Sequence, residues 1–188
     1  MAVIDSRTPG YLQPQEAHDE PINVIRQFVS ELTGLDPQMV RRRWMQKPGT
    51  QPGIGVNWCS VAVEAVTSWG LPESLRTRGT LRKPESGFDK KRTFQTLRCS
   101  AWFYGPDALR YADDFREGAY LSQNADTLQS AGLTVQGVDD TIRRIPDLVA
   151  EQWVDRFEVT FRLGRQIKRT YGIRTIAGYS GVEIYPNK

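Results

Sequence analysis

Histidine is almost missing from this chain of 188 residues, since His18 is its one imidazole. General acid–base chemistry near neutral pH leans on histidine, and a serine or cysteine nucleophile needs a base beside it. His18 also sits in a polar, proline-broken N-terminal stretch, where a solvent-facing side chain is the expectation. Cysteine is nearly as scarce: Cys59 and Cys99 make neither a disulfide framework nor a CxxC zinc site. No run of about 18 apolar residues is present, which excludes a membrane-spanning helix. The opening Met1-Ala2-Val3-Ile4-Asp5-Ser6-Arg7 lacks the basic and long apolar regions of an export signal. An excess of one charge is lacking too. The 25 Lys and Arg against 22 Asp and Glu leave +3, too little for a general nucleic-acid coat.

Patterns that would carry chemistry fail on inspection. Gly53-Ile54-Gly55 has neither the third glycine nor the following helix of a dinucleotide loop, and the Lys-Ser/Thr pair of a phosphate-binding loop is absent. Pro146-Asp147 could begin a metal-dependent nuclease motif, but Glu158 is followed by Val159-Thr160 and no lysine poises a water. Asp113-Asp114 and Asp139-Asp140 read as exposed turns, because adjacent residues do not share a face. The expectation is a protein with no catalytic residue, no cofactor and no metal site, and so not an enzyme.

What the chain does hold is large side chains, with seven Phe, seven Tyr and five Trp, enough for a core or an interface. Residues 1–20 are expected to form an arm, and 21–188 a single domain. Ile22, Ile25, Phe28, Val29 and Leu32 make one helical stripe that Gly34 ends. A short strand follows at 40–45, then a Pro/Gly loop at 46–56. Alternation marks strands at 58–67 and 93–104, with Cys59 and Cys99 on their apolar faces as buried free thiols. Between them, 71–92 reads as a long polar insertion loop. Gly105-Pro106 switches the period to a helix through Ala108, Leu109, Ala112 and Phe115, and a shorter helix covers 124–131. After a strand at 133–138, Trp153, Phe157, Val159, Phe161 and Leu163 share one face of a long half-exposed strand, opposite Arg156, Glu158, Thr160 and Arg162. A last strand or hairpin is expected at 173–184. This order implies an α+β fold, an antiparallel sheet of about four to six strands flanked by two or three helices.

The insertion is basic. From Arg76 to Arg92 it carries Arg76, Arg78, Arg82, Lys83, Lys90, Lys91 and Arg92 against Glu85 and Asp89 alone. Such a loop is either solvated or a flexible contact to DNA phosphates or an acidic neighbour. A second cluster, Arg162, Arg165, Lys168 and Arg169, poses the same choice between a solvated face and a contact.

A series of small motifs follows one another in a distinctive order. Arg41-x-Arg43-Trp44 precedes the Pro/Gly loop, and Asn57-Trp58-Cys59 opens a strand. Phe103-Tyr104-Gly105-Pro106 ends the next strand, and Ala108, Ala112 and Phe115-Arg116-x-Gly118 lie on the helix after it, before Gln123-Asn124. Arg144-x-Pro146-x-Leu148, Trp153-x-x-Arg156 and Arg165-Gln166-Ile167-x-Arg169-x-Tyr171 complete the series. In this the chain resembles the neck terminator or tail terminator proteins of tailed phages, over about 22–184. The arm and the basic insertion do not match that pattern. The resemblance implies a homo-oligomeric ring, a hexamer, in the neck of the virion, assembled in the host cytoplasm. Such a ring would cap the tail tube, with or without a sheath, and join it to the head-completion (connector) proteins. Genomic double-stranded DNA would pass through the lumen, and no membrane would be involved. Arg162, Arg165, Lys168 and Arg169 would then be ring-contact candidates. The competing reading is a nucleic-acid-binding module that uses the basic 76–92 loop.

Overall fold

The first helix shows how local signals set the fold. The computed structural model describes residues 11–15, 20–45, 49–78, 87–149 and 151–173. Helix α1 (Ile22–Thr33) buries Ile22, Ile25, Phe28 and Val29, one stripe of the 3.6-residue period. Gly34 ends it in the left-handed region at φ 71°, its N–H donating to the Ser30 carbonyl at 2.8 Å. Helix α2 (Ala108–Gly118) buries Ala108, Ala112 and Phe115, while Leu109 of the expected stripe is exposed. Expected at 124–131, the next helical segment is a 3₁₀ turn, Ser122–Ala125, running into the short helix α3 (Asp126–Ser130).

The strands are β1 (Val40–Arg42), β2 (Trp58–Thr77), β3 (Gly87–Tyr104), β4 (Leu133–Val138), β5 (Arg143–Arg144), β6 (Asp147–Val149), β7 (Gln152–Val154) and β8 (Arg156–Ile173). Six of them form one mostly antiparallel sheet in the order β1-β2-β3-β8-β4, with β5 also on β8, and β6 and β7 make a separate hairpin. Side-chain pairs between β2 and β3 (Glu64 with Arg98, Ser68 with Gln95, Glu73 with Arg92) run in opposite directions, as antiparallel neighbours must. β1 is the exception, parallel to β2 with Val40 opposite Cys59.

The chain divides into two compact units: a main one of Asp19–Trp69 and Phe94–Gln166, and a second of Met1–His18, Gly70–Thr93 and Ile167–Lys188. In the main unit the three helices cover one sheet face. Ile25, Phe28, Ala112, Phe115 and Leu128 meet Val61, Leu97, Cys99, Phe103, Val159, Phe161 and Leu163, all fully or almost fully buried. Phe115 is the hub, with ring centroids 5.9 Å from Phe28, 6.1 Å from Phe103 and 5.1 Å from Phe161. Cys59 and Cys99 are buried free thiols. The opposite face carries a smaller cluster, Trp58, Ala62, Trp102 and Tyr104, and the alternate residues Ser60, Ser100 and Thr160 are buried as well. Thr160, expected in water, is therefore covered: both faces of the sheet are packed at this end.

The stretch 71–92 differs most from expectation. Residues 71–77 continue β2 and 87–92 begin β3, so the described part of this stretch is largely strand. Every residue of β2 from Glu64 to Thr77 is exposed. A strand without a buried face shows no apolar alternation, so periodicity could not mark it. Trp153 is not on the long strand either. It lies in the β6–β7 hairpin opposite Leu148 and is 73% exposed. β8 begins at Arg156 and runs to Ile173, further than the pattern suggested. His18, and the strand or hairpin expected beyond Ile173, lie outside the described residues.

Candidate functional site

In the second unit, Gly70–Thr93 and Ile167–Lys188 bring together charges that are far apart in the sequence. Lys90, Lys91 and Arg92 on β3 and Lys168 and Arg169 on β8 line a single cleft of about 390 Å³, with Glu73, Ser74, Leu75 and Thr170. The two basic clusters thus contribute to one surface. Their members are partly neutralised: Arg92 pairs with Glu73 at 3.4 Å and Arg76 with Asp89 at 3.7 Å. Asp89 is buried and also accepts a hydrogen bond from the Ser74 hydroxyl. The Lys90 ammonium lies 5.1 Å from the Phe88 ring centre and that of Lys91 6.0 Å from Tyr171, at the outer range of cation–π attraction. Arg78 is exposed, and Arg82 and Lys83 lie outside the described residues.

Of the second cluster, Lys168 and Arg169 line this cleft, while in the main unit Arg162 pairs with Asp139 at 3.6 Å and Arg165 donates to Gln95 Oε1 at 2.9 Å. At the basic cleft itself, the arm contributes a backbone contact to Thr170. The Gln15 N–H donates to the Thr170 carbonyl at 2.9 Å, an edge pairing on β8.

The sequence does not reveal a second site. In the main unit, four of the segments that carry the resemblance converge on a cleft of about 420 Å³, lined by Arg41, Arg43, Met45, Trp58, Ser60, Tyr104, Asp147 and Leu148 among others. Trp58 and Tyr104 stack face to face, centroids 4.1 Å apart and planes 5° from parallel. The Arg43 guanidinium lies 5.0 Å from the Trp102 ring centre and donates to the Tyr104 hydroxyl. Arg41 donates to the Thr50 and Gln38 carbonyls at 2.6 and 3.3 Å. Below the cleft, Gly105 has φ 104°, and an added Cβ would lie 2.5 Å from Asn57 Oδ1 and 2.6 Å from the Val56 carbonyl oxygen. Asn57 in turn exchanges two 2.9 Å hydrogen bonds with Asp107, tying the start of β2 to the start of α2. The spacing of single motifs could not reveal this cleft, because its parts lie on β1, β2, β3 and the β6–β7 hairpin.

Asp147, the residue that could have begun a nuclease motif, accepts a hydrogen bond from Arg156. Among the described residues no group of three or more His, Cys, Asp or Glu could hold a metal ion. None of the described helices is long and apolar enough to cross a membrane. Apolar side chains do stand in the open: Val66, Trp69, Leu71 and Leu75 along β2, and Trp44, Met45, Leu148 and Trp153 elsewhere. Exposed apolar groups along a strand and around a cleft are candidate contact surfaces.

These features describe an assembly protein with an α+β fold. The family model for phage neck terminator proteins matches residues 22–187, and the chain belongs to that family. No curated protein matches it. It is accordingly a structural protein of the phage neck, part of the virion, that associates with other tail and neck proteins.

Proposed function

We propose that the chain closes into a ring of identical subunits, a homohexamer, which caps the tail tube and joins it to the head-completion proteins. Genomic duplex DNA would pass through the lumen, and assembly would take place in the host cytoplasm. On this reading the protein makes and breaks no covalent bond. The observation that carries the proposal is the outer half of β2. From Glu64 to Thr77 it is exposed throughout, and it presents Val66, Trp69, Leu71 and Leu75 on a strand whose paired neighbour there, among the described residues, is β3 alone. An open strand edge with apolar side chains is poorly tolerated in a free monomer and well suited to a neighbour's backbone. A ring needs a heterologous contact, one patch against a different patch of the next copy, and the edge supplies one half of it. Each contact should bury at least about 1,000 Å² to hold without the tail. Electron micrographs of the purified protein, alone and on tails, test this. Rings with a central hole are expected, and phage lacking the gene should yield filled heads and separate tails. Normal virions from that deletion would refute the reading.

One observation favours a nucleic-acid contact as a second reading. The convergence of Lys90, Lys91, Arg92, Lys168 and Arg169 concentrates five cations on one surface. If they bind DNA phosphates, duplex affinity of the isolated subunit should fall with salt, with a log–log slope of about −3 to −4.5. A flat salt dependence would assign the cleft to protein contacts instead.

A further inference from the structure

We infer that the cleft between β1 and the β6–β7 hairpin is a docking site for an extended, acidic segment of a partner protein, one carboxylate entering beside Arg41 and Arg43. The inference goes beyond ring closure and does not depend on it. Three independent features support it. First, charge is left over. Arg42 of the same strand has its carboxylate, Glu20 at 3.1 Å, but among the described residues Arg41 and Arg43 reach only carbonyl and hydroxyl oxygens. The carboxylate that does line the cleft, Asp147, is held by Arg156. Two guanidinium groups without a carboxylate, beside a partly apolar wall, attract an anion more strongly than they would in open water.

Second, Ser60 lines the cleft, is 2% exposed, and its Oγ has no hydrogen-bond partner among the described residues. An unpartnered buried hydroxyl costs stability, and a bound group that bonds to it recovers that loss. A carboxylate or a peptide carbonyl would serve. Third, the surroundings suit a peptide better than a bare anion or a duplex. The stacked Trp58 and Tyr104 rings, Met45, Pro52 and Leu148 offer apolar contacts on several sides. About 420 Å³ accommodates two or three side chains, whereas a DNA duplex needs an open surface. Aromatic residues and arginine around a pocket are also the commonest anchors of protein interfaces.

The test uses the full chain, at a concentration where it is monomeric, with three probes. These are the capped tripeptide acetyl-Leu-Glu-Leu-amide, its Gln counterpart and inorganic phosphate. Binding is read from the NMR signals of the Trp58 and Trp102 indoles. A saturable shift with the Glu peptide is expected, at least about tenfold tighter than with the Gln peptide or phosphate. Arg41→Gln and Ser60→Ala should each weaken Glu-peptide binding severalfold. Both should fold, since Arg41 bonds to exposed carbonyls and Ser60→Ala removes an unpartnered hydroxyl. Equal binding of the Glu and Gln peptides would overturn the proposal, as would tighter binding of phosphate or unchanged affinity in both variants. Ring formation by the same protein is measured separately, so failure of one reading leaves the other standing.

Discussion

Strands β2, β3 and β8 each contribute one end to the main unit and the other to the second, and their two ends live under different physics. Trp58 to Ala62 of β2 are buried on both faces, while Glu64 to Thr77 are exposed on both. On β3, Leu97 and Cys99 to Tyr104 are buried, whereas Lys90 to Arg92 stand in water. In the main unit, strands are held by side-chain burial at about 25 cal/mol per Å² of apolar surface. Among the described residues of the second unit, the side-chain pairs of β2 and β3 include ion pairs with exposed arginines and lysine–ring contacts. A typical backbone bond adds only about 1 kcal/mol net, and an exposed ion pair less. Strand geometry can therefore persist along a stretch such as Glu64 to Thr77 whose side chains are exposed on both faces.

The largest effect should come from the core. Phe115→Ala is expected to destabilise the protein by about 3–5 kcal/mol in denaturant titration, because its ring contacts Phe28, Phe103 and Phe161 at once. A loss under about 1 kcal/mol would mean that the helices are not anchored there. Next is Gly105→Ala. The left-handed backbone at φ 104° costs an L-residue about 1–2 kcal/mol, and the overlap with Asn57 and Val56 about 1–3 more. Gly70→Ala is a useful control. Its φ is 75° but no atom of the described residues lies within 4 Å of the added carbon, so only the backbone penalty should appear.

The thiols sharpen the same contrast. Burial, with help from Glu64, pushes Cys99 up to about 12, and burial raises Cys59 well above the ordinary thiol range. Unfolded thiols ionise near pH 8.5. The unfolded chain therefore loses protons first, so stability is unaffected below that pH and falls as pH climbs towards 12. Native protein at pH 8 should resist thiol labelling, and unfolding should release two reactive thiols. A double Cys→Ala variant should lose part of the alkaline slope. Rapid native labelling would show that this end of the sheet opens readily.

The smallest effect on the monomer is expected in the second unit. Leu71→Ser with Leu75→Ser should change its stability by less than about 0.5 kcal/mol per site, since both side chains are exposed. The same pair should impair ring formation strongly if the β2 edge is a subunit contact. Hydrogen exchange gives the companion measurement: amides of 97–103 should exchange only on global unfolding, and those of 71–77 much faster. Equal protection of both stretches in the monomer would erase the distinction between the two ends.

From the sequence alone, the apolar stripes of α1 and α2, the strands at 133–138 and 157–163, the buried thiols and the family could all be read. Those features are periodic or local, and burial on one face writes a period into the chain. Phe28 on its stripe and Val159 on its alternation announce themselves in this way. The outer half of β2 could not be read, because a strand exposed on both faces is under no pressure to alternate. Nor could the meeting of Lys90–Arg92 with Lys168–Arg169, since strand adjacency sets it across more than seventy intervening residues. The arginine cleft depended most on tertiary structure. Arg41, Trp58, Tyr104 and Leu148 are ordinary residues in four separate segments. Only the parallel pairing of β1 with β2, the β2–β3 adjacency and the folding back of the β6–β7 hairpin bring them to one place, and long-range pairing of that kind leaves no local mark in the chain.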